Sequence, residues 1–301
     1  MNTTTQHDLV VIGAGVAGLS AVRQALGDGL SVAYFESKMF GGLVLNVNEL
    51  EGAVQGSGAE YASNLVNEVL EAGAESIEAE VRGIEAAGDA LLVASDAGTH
   101  RARAVVVASG AGLRKLGVPG EAEFDGRGVS HCADCDGPMF LGQTVVVVGG
   151  GDSALQSALV LAQYAGKVHL VHRGPAFTAK PAFVETVRAT SAIEVHAGSE
   201  VSEIVGAEGV EGVRVGTALL AATGVFAYVG LVPSSGYLPV AIERDANGRI
   251  VTGPGLQTAL PGVYAAGAVR AGCGGALADA VADGIAAARS AVARLGAAAH
   301  A

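Results

Sequence analysis

Tryptophan is absent from this 301-residue chain, and aromatic residues of all kinds make up only 4% of it. Charge is scarce too, at 16%, and basic residues are outnumbered: 18 Lys and Arg stand against 30 Asp and Glu, for a formal net charge of −12. No run of Lys or Arg breaks that balance. A chain of this sign repels phosphate backbones and anionic bilayers, which excludes binding to nucleic acid or a membrane surface through counterion release. No apolar stretch approaches the roughly 18 residues needed to cross a bilayer. The polar segment Met1–His7 lacks the charged and apolar regions of a signal peptide. These absences give the expectations of no nucleic-acid partner, no membrane and a cytoplasmic location. With only three cysteines, a framework of structural disulfides is excluded as well.

What is present is glycine, 45 residues, in a chain that is half hydrophobic. That profile belongs to a folded α/β protein dense in tight turns, and the length suits about two domains. The chain also repeats itself. Residues 8–36 read DLVVIGAGVAGLSAVRQALGDGLSVAYFE, and residues 144–173 read TVVVVGGGDSALQSALVLAQYAGKVHLVHR. Each is an apolar strand, a glycine turn, an Ala/Leu helix and a second strand. The strands are continuously apolar, as expected where both faces are buried in a parallel sheet.

In the first copy Gly13, Gly15 and Gly18 form G-x-G-x-x-G directly after the strand. The first glycine permits the turn, and the second lets backbone approach a pyrophosphate seated on the N-terminus of the helix begun near Val16. The third lets helix and strand pack closely. Glu36 closes the second strand, where a carboxylate can accept hydrogen bonds from a ribose. The second copy carries Gly149, Gly151 and Ala154 as G-x-G-x-x-A, and its strand ends in His172 and Arg173 in place of an acid. A cation there suits a 2′-phosphate better than a bare ribose diol; a dinucleotide fold that has lost its ligand is the alternative. AVVVASG at 104–110 and GVYAAG at 262–267 read as strands returning to the first unit, the latter followed by an Ala-rich helix from about Ala276 to Leu295. The expected fold is therefore α/β, with two Rossmann-like dinucleotide-binding domains, the second inserted into the first. The expected boundaries are residues 1–114 and 223–301 for the outer domain and 115–222 for the insert.

Between the repeats lies GVSHCADCDGP, residues 128–138. Cys132 and Cys135 have C-x-x-C spacing, which brings two sulfurs within bonding distance at a helix start, where thiol pKa values fall below the usual value of about 8.5. The N-terminal member of such a pair ordinarily attacks and its partner resolves the mixed disulfide. Asp136 is placed to carry the proton that a departing thiolate needs. Zinc would want four ligands, and no second paired motif supplies them, so no metal is expected. A passive disulfide or buried thiols remain the bland alternative, against which stands the position beside two dinucleotide folds. His131 is either electrostatic support for a thiolate at Cys132 or a turn residue. Cys273 is either a packing residue or a third redox thiol.

Taken in order, G-x-G-x-x-G with Glu36, FGGLV at 40–44, ASG at 108–110, GRGVSHCADCDG at 126–137, GGGDSA at 149–154, VHR at 171–173 and VYAAG at 263–267 resemble low-molecular-weight thioredoxin reductase over essentially the whole chain. The resemblance implies a thiol–disulfide oxidoreductase and a homodimer. It implies FAD in the split domain, contacted by Gly13, Gly15, Gly18, Glu36, Gly41, Gly42, Gly110, Gly267 and Ala268, and NADPH or NADH on Gly149, Gly151, Ala154 and Arg173. It also implies that Cys135 faces the flavin while Cys132 meets a protein or small-molecule disulfide or dithiol, with domain rotation alternating nucleotide and cysteines at the flavin.

Several positions depart from the family pattern. Gly174 and Thr178 stand where the family has arginines, so each removes charge-assisted contacts to a 2′-phosphate, and Lys180 is a partial substitute. Ala268 replaces an Asp that bonds the FAD ribitol, Gly275 and Ala276 replace an Arg-Gln pair, and Leu43 replaces a Gln. These losses lie on the donor side and near the flavin ring, while the dithiol group is complete. They leave the direction of flux open between a reductase, driven by NAD(P)H or by another donor such as ferredoxin, and an oxygen-using dithiol oxidase. They also supply the alternative reading, a non-catalytic flavin- or nucleotide-binding redox sensor.

Overall fold

The computed structural model describes residues 6–47, 50 and 56–298. The chain forms two compact units, one of residues 1–112 with 232–301, the other of residues 113–231.

The outer unit opens with β1 (Gln6–Ile12), α1 (Val16–Gly27) and β2 (Val32–Glu36), followed by α2 (Gly58–Glu71), β3 (Glu75–Glu78), β4 (Val81–Ala87), β5 (Ala90–Ser95), β6 (Gly98–Val107) and the short β7 (Ala111–Leu113). Strands β3, β2, β1 and β6 lie side by side in parallel, and β4 and β5 continue the sheet antiparallel. The length of β6 lets it serve two partners. Its first half pairs with β5 and its second half with β17, the later strand Val263–Ala265. Leu9 and Val11 point to the helical side of the sheet, while Val10 and Ile12 point to the other. Both faces are therefore apolar, and the strand reads as an unbroken hydrophobic run. Helix α2 starts on a capping box: Glu60 N–H donates to Ser57 Oγ at 3.1 Å and Ser57 N–H to Glu60 Oε2 at 2.8 Å.

The inserted unit contains β8 (Val129–Ser130), α3 (Ala133–Asp136), β9 (Thr144–Val148), α4 (Asp152–Leu161), β10 (Lys167–His172), α5 (Pro181–Ala189), β11 (Ile193–Ala197), β12 (Val201–Gly206), β13 (Val210–Val215), β14 (Ala218–Ala221) and β15 (Gly224–Ala227). Its parallel sheet runs β11-β10-β9-β15-β8, and β12, β13 and β14 make a separate antiparallel sheet. Val145 and Val147 pack with α4 and Phe226, and Val146 and Val148 pack with Val201, Ile204 and Val213. Each fully buried side chain of this kind contributes roughly 1.5–3 kcal/mol.

The chain returns through β16 (Leu231–Pro233), which pairs with β7, and ends with β17 and α6 (Leu277–Ala298). The observed crossings, after residues 112 and 231, differ from the expected 114 and 222. The second difference has a clear cause. The segment 224–227 looks like the start of the returning domain, but as β15 it pairs in parallel with both β9 and β8, and it is the strand that completes the inserted sheet.

Candidate active site

In the outer unit the carboxyl ends of β1 and β6 meet the N-terminus of α1. Gly13 adopts a φ of +104°, and a methyl group there would lie 2.4 Å from Ala108 O. At Gly18 it would lie 1.9 Å from Gly13 O. Both glycines are thus demanded by packing. Gly15 is different: the nearest atom to a methyl group there is Gly41 O at 3.8 Å, so the fold leaves its outer side open. It caps α1 with no side-chain partner, and the first turn holds no acid. Gly41 is drawn against this turn by Gly41 N–H donating to Ala14 O at 2.7 Å, and a methyl group at Gly42 would sit 3.6 Å from Gly15 Cα. Gly267 packs on Ala17, with Ala268 beside it. Gly110 lies three residues beyond the end of β6.

Glu36 is fixed to the same turn. Its Oε2 accepts from Ala14 N–H at 2.9 Å, and its Oε1 accepts from Ser37 and Lys38 N–H at 3.0 Å each. The carboxylate keeps one lone pair, on Oε2, for a ribose hydroxyl. An open glycine, an uncapped helix start and an anchored acid together fit the pyrophosphate and ribose of a dinucleotide.

One feature of this site escaped sequence reasoning. Asp283 on α6 is buried; its Oδ2 accepts from Gly267 N–H at 2.9 Å and from Arg270 Nε at 2.6 Å, and its Oδ1 from Arg270 at 2.5 Å. The hydrogen bonds to Asp283 raise the Arg270 guanidinium above its usual range. An Arg and an Asp thirteen residues apart carry no periodic signal that would announce the pair. Cys273, in the nearby loop, is a free, half-buried thiol whose pKa burial pushes up.

In the inserted unit the second glycine turn has the same plan. Gly149 is crowded by Tyr228 O, 2.3 Å from where its methyl group would stand, and by Ala154 at 2.8 Å, whereas Gly151 has nothing closer than Thr178 Oγ1 at 3.8 Å. Gly151 caps α4 without a side-chain partner, but unlike α1 this helix has an acid, Asp152, in its first turn. A dinucleotide pyrophosphate fits here too. Arg173 is exposed at the end of β10. Thr178 is exposed but carries no charge, and its N–H and Oγ1 both donate to Gly150 O, at 2.8 and 3.2 Å. Lys180 Nζ lies 3.7 Å from Asp152 Oδ2, so its charge is partly spent within the turn.

The redox pair sits where β8 ends. Cys132 and Cys135 are joined as a disulfide, with Cα atoms 5.3 Å apart, and Cys132 caps α3 by accepting at Sγ from Cys135 N–H at 3.1 Å. That contact would stabilise a thiolate at Cys132 after reduction. Asp136 is next to the pair, and its Oδ2 accepts from Ser130 Oγ at 2.6 Å. Ser130 is buried and its oxygen also accepts from Cys132 N–H at 3.2 Å. Tyr228 OH accepts from Ala133 N–H at 3.0 Å, and burial raises the phenol above its usual pKa, so it stays protonated. Ser130 and Tyr228 are contacts the sequence did not disclose. His131 is half-buried with Nε2 3.9 Å from Asp125 Oδ1.

This arrangement can be compared with known proteins. A model of the pyridine nucleotide-disulphide oxidoreductases matches residues 7–294. The chain belongs to that family. Within it, the chain is 38% identical to the thioredoxin reductase of Treponema pallidum (strain Nichols) over 297 residues, covering 95% of this chain and 96% of the relative. The solved thioredoxin reductases of Lactococcus lactis and T. acidophilum superpose with TM-scores of 0.89 and 0.88 at 31% and 32% identity. They cover 96% of this chain in both cases, and 99% and 98% of theirs. The protein is thus a thioredoxin-reductase-like, flavin-dependent disulfide oxidoreductase of α/β class with two Rossmann-like domains, in a family whose cofactors are FAD and NADPH. The sensor reading is not favoured by this membership. No helix among the described residues is long and apolar enough to cross a membrane.

Proposed function

We propose that the protein reduces a protein disulfide of the thioredoxin type, using electrons that enter from a nicotinamide nucleotide in the inserted unit and pass by way of FAD in the outer unit. The observation that carries this reading is the Cys132–Cys135 disulfide capping α3 with Asp136 held beside it by Ser130. FAD, when bound, supplies the two-electron carrier between nucleotide and disulfide. Gly13, Gly15, Gly18, Gly41, Gly42, Gly110 and Gly267 would let backbone approach it, with Glu36 on its ribose and Ala268 near its ring. Gly149, Gly151, Ala154 and Arg173 would hold the nucleotide. Two electrons and two protons convert the Cys132–Cys135 disulfide to a dithiol. The Cys132 thiolate then attacks the substrate disulfide, one substrate sulfur leaves and takes a proton through Asp136, and Cys135 displaces the second. The products are substrate dithiol and the re-formed disulfide.

A second reading is favoured by Gly275 and Ala276, both exposed, with open space around a methyl group at Gly275. Small residues there leave room for oxygen or a bulky dithiol, and flux then runs from dithiol to oxygen, giving disulfide and hydrogen peroxide. Family membership also carries the proposals of a homodimer and a cytoplasmic location, the first checked by light scattering. Steady-state turnover decides between the directions: NAD(P)H consumption with a thioredoxin disulfide supports the reductase, and oxygen uptake with dithiothreitol supports the oxidase. Wild-type turnover in either assay by Cys132→Ser and Cys135→Ser proteins would overturn both.

A further inference from the structure

The inserted sheet has a second group of reactive side chains at the edge opposite β8. Strands β10 and β11 run parallel, with His169 opposite Glu194 and Val171 opposite His196. Alternation along the strands puts His169, Glu194 and His196 on one face. His169 Nδ1 lies 2.9 Å from His196 Nε2. Glu194 Oε1 lies 3.4 Å from His196 Nε2, and Oε2 lies 3.8 Å from His169 Nδ1. His169 is buried, His196 half-buried and Glu194 exposed, so the cluster has a closed back and an open front.

We propose that His169, Glu194 and His196 form a binding site for a zinc-like divalent transition-metal ion, with three protein ligands and a fourth position open to solvent. Two ring nitrogens this close share one proton, and both are directed at the space between them. A tetrahedral ion with bonds of about 2.0–2.1 Å would set those nitrogens about 3.3 Å apart. The rings need to separate by only a few tenths of an ångström, within the reach of small side-chain torsions. As the ion enters, the ring that carries the shared proton gives it up there and takes one at its far nitrogen, so that both ligands are neutral imidazoles.

The carboxylate is already divided between two tasks. Glu194 Oε2 accepts from Lys167 Nζ at 2.5 Å, whereas Oε1, the oxygen nearer His196, is turned toward the imidazole. Oε1 is therefore the ligand, and Lys167 competes for the charge that would hold the ion. Two imidazoles and one carboxylate select zinc, nickel or copper over magnesium or calcium, which prefer oxygen donors. This site stands independently of the direction of flux at the cysteines.

The test is calorimetric titration of flavin-loaded protein with Zn²⁺, the Cys132–Cys135 disulfide kept oxidised so that its sulfurs cannot ligate. One equivalent should bind, and Mg²⁺ should not. His169→Ala and His196→Gln should each weaken zinc binding more than tenfold, and Lys167→Met should tighten it several-fold. Cys273→Ser should change nothing. Circular-dichroism melting reports whether each variant has folded, and His196→Gln, on the less buried histidine, serves if His169→Ala does not fold. Absence of zinc binding to the wild type at millimolar concentration, or binding that survives both histidine substitutions, leaves a hydrogen-bonded histidine pair only and overturns the site.

Discussion

Replacing Gly15 by alanine should separate flavin binding from folding. The residue has φ −75° and ψ 178°, which any side chain tolerates, and its added methyl group meets nothing closer than 3.8 Å. The apoprotein should therefore keep its stability or gain about 0.4–1 kcal/mol from a less flexible unfolded chain. The same methyl group stands where a pyrophosphate must approach the backbone. FAD affinity should fall at least tenfold, which is about 1.4 kcal/mol. Gly18→Ala should do the reverse first, because its methyl group would sit 1.9 Å from Gly13 O; overpacking against backbone destabilises by about 1–3 kcal/mol or more. The assay pairs the flavin-to-protein ratio after gel filtration with thermal melting of the apoprotein by circular dichroism. The visible absorption bands and the long-wavelength fluorescence report the flavin alone. A Gly15→Ala protein that holds FAD as tightly as wild type would refute the open-cradle reading. So would a Gly18→Ala protein that melts at the wild-type temperature.

Other substitutions address other parts of the molecule. With two arginine positions occupied by Gly174 and Thr178, NADPH should be favoured over NADH only weakly, since two charge-assisted contacts at roughly 1.5–3 kcal/mol each are missing; rapid, strongly NADPH-selective flavin reduction in stopped flow would contradict this. Cys132→Ser should leave an unpaired thiolate at Cys135 and a broad long-wavelength charge-transfer band with oxidised flavin, whereas Cys135→Ser should lack that band; identical spectra would refute the assignment of Cys135 to the flavin side. Asp136→Asn should retain the disulfide and slow turnover by about 10²–10⁴-fold, and an unchanged rate would remove Asp136 from proton transfer. Asp283→Ala should destabilise the outer unit by about 3–5 kcal/mol, because it strands the partly buried Arg270 guanidinium; a melting temperature within a degree of wild type would show the pair to be dispensable.

Much of the fold was legible because its strands are buried on both faces. DLVVI and TVVVV have no other reading once followed by glycine turns, and the glycines at positions 13, 18 and 149 lie at the close approaches their spacing implied. The return boundary was less legible, since a short strand such as 224–227 looks the same in either domain and only its partners decide. The antiparallel pair β4 and β5 also went unread, because a half-exposed stretch such as VRGIEAA blurs the alternation that would reveal it. Single polar contacts left no trace at all. Ser130 beneath Asp136, Tyr228 on Ala133, and Arg270 on Asp283 are set by where two strands or helices end, not by a repeating pattern. The His169–His196 contact belongs to the same class: it exists only through the register of β10 against β11.

Tyr228 is also where two kinds of chemistry share one mount. Its carbonyl oxygen sets how near the glycine turn can come, and its hydroxyl holds the first N–H of the redox helix. The residue lies immediately after β15, which is clamped between β9 and β8 in the sheet's interior. Glycine turn and disulfide helix thus both lean on the residue that ends one interior strand, so a substitution that shifts β15 would displace both at once.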